Sequence, residues 1–172
     1  AQGIVGVDNT LFFIVSQRNL STLDSVVDVT LGAISHISAA DLSRIGYTNA
    51  AGNLVPLTAS AQIQAFLASG ARVKIAAGST VAPVITVTVA DDAIYEQSED
   101  LVLNISNPSN ATIGNNSATG VILDESDNAT DPAANTEGDK PVVSISATDA
   151  QAIEGVDNTL VFTVSQSNLS TL

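Results

Sequence analysis

The sequence predicts an all-β protein, an antiparallel β-sandwich that carries a short helical insertion. Short apolar runs rich in Val, Ile and Thr recur along the 172 residues, and turn-forming residues separate them. In several runs apolar and polar residues alternate, as expected for a strand with one buried face. Hydrophobic residues make up 45% of the chain, whereas aromatic residues make up 3% and Trp is absent. The core must therefore consist mainly of Val, Ile, Leu and Ala.

Seven segments have this strand pattern. The segment PVITVTVA at residues 83–90 shows it most clearly, because Val or Ile alternates with Thr. The predicted strands are residues 10–16, 25–31, 83–90, 101–106, 119–123, 142–147 and 160–165. Strands of this length, separated by turn signals, favour an antiparallel sandwich.

Two segments between the second and third predicted strands have a different pattern. Residues 38–45 are predicted to form one or two helical turns. Residues 59–68 are predicted to form a short surface helix, because Ile63, Phe66 and Leu67 follow helical spacing.

Both segments belong to an insertion at residues 33–82, in which residues 47–52 are expected to form a turn. We expect this insertion to cap the sandwich. Ligand binding is the alternative role for it, with Tyr47 and Phe66 as the aromatic anchors and Phe66 the better core candidate.

The chain contains a long internal repeat. Residues 1–23 return as residues 150–172, an offset of 149 (150 minus 1), and five of the 23 aligned positions differ. Repetition of large, nearly identical units is typical of a tandem array, and long arrays of β-domains usually serve reach and spacing. The sequence thus predicts one repeat period followed by the start of the next.

The repeat divides the chain into three predicted parts. Residues 1–124 form a sandwich unit, the acidic and Pro-containing residues 125–140 form the linker between units, and residues 141–172 form the first strands of the next repeat. The segment expected to form the opening strand of each sandwich occurs once in the sequence, at residues 142–147. We therefore expect strand sharing between neighbouring chains, with a self-contained permuted domain as the alternative.

Charge excludes several classes of function. The chain has 18 acidic and five basic side chains and a net charge of −13, which argues against binding to nucleic acid or to anionic membrane surfaces. No apolar run is long enough to span a membrane, so we expect no direct membrane insertion. Cys is absent, so disulfides and thiolate metal sites are excluded. An extracellular protein without disulfides needs another stabilising element, and calcium is the usual one.

Acidic residues cluster where predicted strands end, which suggests a calcium site. Calcium takes six to eight oxygen ligands, and loops at one end of a sandwich can bring carboxylates together. The candidate ligands are Asp91, Asp92, Glu96, Glu99, Asp124, Glu125, Asp127 and Glu154.

Residues 91–99 read DDAIYEQSE, a DD-x(3)-E-x(2)-E pattern, and residues 107–114 read NPSNATIG. This stretch resembles the Calx-beta motif of the calcium-regulatory domains of sodium/calcium exchangers. The resemblance implies an immunoglobulin-like Calx-beta sandwich and calcium ligation. Asp91 and Asp92 match the paired aspartates of the motif, and Glu96 and Glu99 match its two glutamates. Asp124 and Glu125 match the start of the terminal acidic triplet.

The sequence departs from the motif at three points. Ser126 interrupts the terminal triplet, Val5 stands where the second copy has Glu154, and the insertion at residues 33–82 is long. These features are similar to those of repeats in giant RTX-type adhesins secreted by Gram-negative bacteria. That resemblance implies an extracellular extender that holds a binding domain away from the cell and contacts neighbouring repeats.

Enzyme activity is not expected. His36 is the one histidine and lies near a predicted turn, which favours a surface histidine over a Ser-His-Asp site. Paired carboxylates could serve glycoside hydrolysis, but such clefts are usually lined by aromatic residues, which are scarce here. Two alternatives to the extender remain, a carbohydrate- or protein-recognition module acting by avidity and a filament-forming matrix protein.

Overall fold

A computed structural model describes residues 2–4, 9–79, 83–92, 94–96, 98–123, 141–167 and 169–170 of the chain, the first and last of these ranges by their backbone alone. Thirteen strands and one helix lie within them. In chain order they are β1 (Gln2–Ile4), β2 (Thr10–Ile14), β3 (Ser25–Leu31), β4 (Leu42–Thr48), β5 (Leu54–Leu57), α1 (Ser60–Ser69), β6 (Ala71–Ile75), β7 (Val84–Val89), β8 (Ile94–Tyr95), β9 (Glu99–Ser109), β10 (Ser117–Leu123), β11 (Val143–Asp149), β12 (Val161–Gln166) and β13 (Leu169–Ser170).

Two sheets form the sandwich. The five-stranded sheet has the order β1-β10-β9-β3-β6, and the four-stranded sheet has the order β2-β7-β4-β5. All neighbours in these sheets are antiparallel except β1 and β10, which are parallel. The all-β antiparallel sandwich expected from the sequence is therefore confirmed, and all seven predicted strands match observed ones.

The core lies between the two sheets and consists mostly of branched aliphatic side chains. Strand β7 illustrates how the alternating sequence produces it, since Ile85, Val87 and Val89 are buried while Thr86 and Thr88 remain partly exposed on the other face. Each fully buried Val or Ile contributes about 1.5–3 kcal/mol relative to an exposed one. This period-two burial fixes which face of each strand meets the core.

Helix α1 packs against the sandwich through one face. Ile63 and Phe66 are buried, and the helix contacts β3 and β4. The backbone N–H of Ala59 donates to Oε1 of Gln62 at 3.3 Å, which caps the first turn. Gly70 ends the helix with a φ of 70°. The predicted helix is confirmed, shifted by one residue at each end.

The helical turns predicted at residues 38–45 are wrong. Leu42 and Ile45 instead belong to β4, which pairs with β7 on one side and β5 on the other. Only a short local turn precedes the strand, in which Asp41 accepts a hydrogen bond from the Ser38 N–H. Long-range pairing with an apolar neighbour strand here outweighs local propensity.

The predicted turn at residues 47–52 is also shifted. Tyr47 and Thr48 still belong to β4, and the turn to β5 is closed by the Asn49 N–H donating to the Asn53 carbonyl at 2.9 Å.

The insertion does not cap the sandwich as expected. It contributes β4 and β5 to one sheet and β6 to the other, so it forms part of both layers. Strand β6 pairs with β3, with Arg72 opposite Asp28. The Arg72 Nε lies 2.9 Å from Asp28 Oδ1 on the outer face of that pair.

Strands β11 and β12 form a separate antiparallel pair, and β13 pairs in parallel with β8. The predicted linker at residues 125–140 lies outside the described residues, so the three-part division of the chain stays a prediction. Within the part of the chain that the structure describes, no helix has the length and apolar character needed to cross a membrane.

Candidate metal centre

One end of the sandwich brings together the termini of three core strands. The Ala90 N–H, directly after β7, donates to the Asp41 carbonyl at 2.9 Å, and Leu42 pairs with Val89. Asp41 is thereby fixed beside the end of β7, at the point where β4 begins. Its position follows from the register of two strands in the four-stranded sheet.

Glu99 reaches the same end from the other sheet, and Glu96 reaches it from the segment between β8 and β9. Glu99 is the first residue of β9 and lies opposite Ile122 of β10. After β7 the chain turns at Asp92, whose Oδ1 accepts the Ile94 N–H at 2.9 Å, and this turn leads through β8 to Glu96. A short carboxylate-stabilised turn thus directs the chain from one sheet to the other.

Three carboxylates form one compact group, which we call the carboxylate cluster. One oxygen from each of Asp41, Glu96 and Glu99 lies within 4.8 Å of the other two. All three residues are partly buried. Among the described residues, no other group of three or more acidic, His or Cys side chains is close enough to share one ion.

The cluster is electrostatically unfavourable without a cation. Burial, together with the nearby charges of Asp41 and Glu96, raises the pKa of Glu99 to about 7. Like charges at this separation resist simultaneous ionisation, and a bound divalent cation would reverse that effect. The structure therefore concentrates negative charge that a cation could neutralise.

The donor set fits a hard cation. All three side chains offer carboxylate oxygens, and the cluster contains no nitrogen or sulfur donor of the kind that zinc or copper prefers. Three carboxylates supply at most six oxygens, within the six to eight that calcium takes when backbone carbonyls and water complete the shell. The one histidine, His36, is exposed at the surface, as expected from the sequence.

The candidate ligands that the structure describes do not all lie at one site. Glu96 and Glu99 belong to the carboxylate cluster, whereas Asp91 and Asp92 are exposed and are not part of it. Glu154 is exposed in a turn closed by hydrogen bonds between Ile153 and Asp157. The remaining three, Asp124, Glu125 and Asp127, lie outside the described residues, although β10 ends immediately before them at Leu123.

Sequence reasoning missed Asp41. This residue falls in the segment that was predicted to be helical, so its proximity to β7 could not be foreseen. One signal was available, since Asp41 directly precedes an apolar strand residue, as acidic Glu99 and Asp100 precede Leu101.

The aromatic anchors expected for a recognition site are engaged in packing. Phe66 is buried in the core, and the ring of Tyr47 lies 5.6 Å from it, measured between ring centroids. Neither ring forms an exposed platform for a sugar or a peptide.

No protein-family model and no curated protein matches the chain. Several solved structures are similar to it. The apo form of the Calx CBD1 domain is 16% identical, with a TM-score of 0.44, and the match covers 72% of this chain and 89% of that one. The calcium-binding domain CBD12 of CALX1.1 is 16% identical and CBD12 from CALX1.2 is 17% identical, both with TM-scores of 0.40 over 72% of this chain. The chain spans 41% of each CBD12 structure. These low identities and TM-scores do not assign a family or a function.

Proposed function

We propose that the chain is a calcium-stabilised Calx-beta-like module that acts as a repeat unit and extender in a bacterial surface adhesin. The observation that carries the proposal is the carboxylate cluster, in which Asp41 directly precedes β4 and Glu99 is the first residue of β9. These strands belong to different sheets. A cation bound between them would hold the two sheets together at that end.

The extender role is supported by the sequence. The near-identity of residues 1–23 and 150–172 indicates a tandem array, and arrays of rigid domains set the distance between a cell and a binding domain. A net charge of −13 and the absence of Cys suit a secreted module that depends on bound cations rather than on disulfides. The proposed location is therefore extracellular, at the bacterial surface.

Calorimetric titration of the full chain with calcium, after treatment with a chelator, tests the metal site. We expect saturable binding that is lost in Glu99→Gln and retained in Asp157→Asn. Asp157 is an exposed residue of the loop between β11 and β12, so its substitution is a matched loss of one charge elsewhere. Absence of saturable heat in the unmodified chain would refute calcium binding.

The extender role needs a second experiment. Small-angle scattering of a chain with two complete repeats should show a longer and narrower particle in calcium than in chelator, because ions near the linker would stiffen the junction. Dimensions that do not respond to calcium would mean that the linker is a flexible spacer.

A further inference from the structure

We propose that the outer edge of β2 binds a second copy of the β11 sequence, supplied by a preceding repeat, as an added antiparallel strand with Ile145 opposite Val15. This edge belongs to the four-stranded sheet, and none of the three residues of the carboxylate cluster lies in β2. The proposed pairing does not depend on calcium binding.

Strand β2 has one free edge. It is the terminal strand of its sheet and, among the described residues, pairs only with β7. The Val15 N–H donates to the Pro83 carbonyl and the Asn9 carbonyl accepts the Val89 N–H, so odd-numbered residues direct their backbone groups toward β7. Backbone groups of Phe12, Ile14 and Ser16 therefore point away from the sheet, available to another strand.

The repeat shows which strand fits there. Strand β12 is the second copy of the β2 segment, because Val161 to Gln166 lie 149 positions after Phe12 to Gln17. Strand β12 pairs with β11, with Ile145 opposite Val164 and Ala147 opposite Phe162. Val164 and Phe162 are the counterparts of Val15 and Phe13, 149 positions earlier. The same register on β2 would therefore place Ile145 opposite Val15 and Ala147 opposite Phe13.

The hydrogen-bonding edges agree with this transfer. In the β11–β12 pair the Ser167 N–H donates to the Val142 carbonyl at 3.1 Å, so odd-numbered residues of β12 face β11. Their counterparts in β2 are even-numbered, and these are the residues with backbone groups on the free edge. The backbone groups that β12 uses to pair with β11 therefore correspond to the groups that lie on the free edge of β2, not to those that pair with β7.

The side-chain faces agree as well. Leu11, Phe13 and Val15 are buried on the core face of β2. Residues directly opposite each other in an antiparallel pair share a face, so Ile145 and Ala147 of the added strand would point into the core. The small polar Ser144 and Ser146 would face solvent.

A cavity lies where these side chains would enter. It has a volume of about 800 Å³ and is lined by Phe13, Val15, Ile85 and Leu103 from both sheets. Gln17 also lines it, and its buried Nε2 has no hydrogen-bond partner among the described residues. An added strand would fill apolar space with Val143 and Ile145 and would bring backbone carbonyls to this edge.

The occupant follows from the position of β11 in the repeat. Asp149 directly precedes Ala150, which is the counterpart of Ala1. A copy of β11 placed ahead of Ala1 would run without a break from the edge of β2 into β1, which pairs with β10 of the other sheet. One continuous segment would then cover the open side of the sandwich.

The strand register is tested by disulfide trapping on the full chain, which has no Cys of its own. A peptide with the sequence of residues 141–150 carrying Ser144→Cys is mixed with the chain carrying Ser16→Cys. Directly paired residues have Cα atoms about 5.5 Å apart, within the range of a disulfide. The matched control peptide carries Ser146→Cys, which moves the thiol about 7 Å along the strand.

We expect the Ser144→Cys peptide to be trapped several times more than the control. Equal trapping of the two peptides, or trapping of neither, would contradict the binding of a free peptide to the edge of β2 in this register. A second measurement removes the dependence on peptide affinity, by extending the full chain with residues 141–149 ahead of Ala1. The extended chain should melt at a higher temperature, and Ile145→Lys in the extension should abolish the gain while Ser144→Lys should not. An unchanged melting temperature, or equal loss in both variants, would overturn the proposal.

Discussion

The carboxylates of Glu99 and Asp41 approach within 4.8 Å of each other, although one residue begins a strand of the five-stranded sheet and the other directly precedes a strand of the four-stranded sheet. This pair therefore joins the two layers of the sandwich at one end. In the metal-free protein the contact is repulsive, and burial of Glu99 adds to the cost of its charge. A cation between the two carboxylates would attract both of them and would hold the two sheets together.

Calcium should therefore raise the melting temperature of the chain, and Asp41→Asn should remove much of that rise. A ligand that binds only the folded state stabilises it by about 2.7 kcal/mol at 100 times its dissociation constant. Differential scanning calorimetry across a calcium titration measures the effect. Asp157→Asn is the control and should keep the full response. A response in Asp41→Asn equal to that of the unmodified chain would exclude Asp41 as a ligand.

The pH dependence of stability should reveal the raised pKa of Glu99 in chelator. The pKa rises from an ordinary value of 4.5 to about 7 in the folded protein, so the folded state holds a proton that the unfolded state has released. The Glu99 contribution is therefore greatest below about pH 4.5, falls as the pH rises through this window, and levels off above about 7.

Glu99→Gln isolates this contribution, because its side chain does not titrate. The melting temperature of the unmodified chain should drop relative to that of Glu99→Gln between the two pH limits, in chelator throughout. A constant difference between the two proteins over this range would mean that Glu99 has an ordinary pKa.

Most of the sandwich could be predicted because its strands carry their own signal. Strand β3 matches its prediction at both ends, since Val27 and Val29 alternate with the outward-facing Asp28. The missed strands have weaker local patterns. Strand β5 has four residues, lies at a sheet edge and contains Pro56, which is tolerated at such edges. Strand β4 is defined by its neighbours more than by its sequence.

The site was predictable only in part, for a related reason. Glu96 and Glu99 lie a few residues apart in one recognisable pattern, so a sequence motif could identify them. Asp41 joins them through the pairing of Leu42 with Val89, a contact between distant parts of the chain. Its one sequence signal, a position directly before the apolar Leu42, does not show that it lies beside the end of β7.

Packing of α1 against the sheets should contribute substantially to stability. Ile63 is 1% exposed, and its truncation to Ala would leave a cavity between the helix and the core. We expect Ile63→Ala to lower the free energy of unfolding by about 2–5 kcal/mol. Gln64→Ala, at an exposed position of the same helix, should change it by less than about 0.5 kcal/mol. Urea unfolding measures both, and equal effects would mean that the helix is not docked through Ile63.

The end of α1 should require glycine for two separable reasons, which Gly70 and Gly78 distinguish. Both have a positive φ, of 70° and 67°, which strains any side chain. Gly70 also has a ψ of −162°, and this combination of angles is essentially confined to glycine. At Gly70 a Cβ would also lie 2.1 Å from the Val29 carbonyl oxygen, whereas at Gly78 it would meet nothing within 4 Å. Relief of that overlap must move α1 away from β3, at a further cost of about 1–3 kcal/mol. Urea unfolding of Gly70→Ala and Gly78→Ala should therefore show the larger loss at Gly70, and equal losses would place the helix end farther from β3 than the structure does.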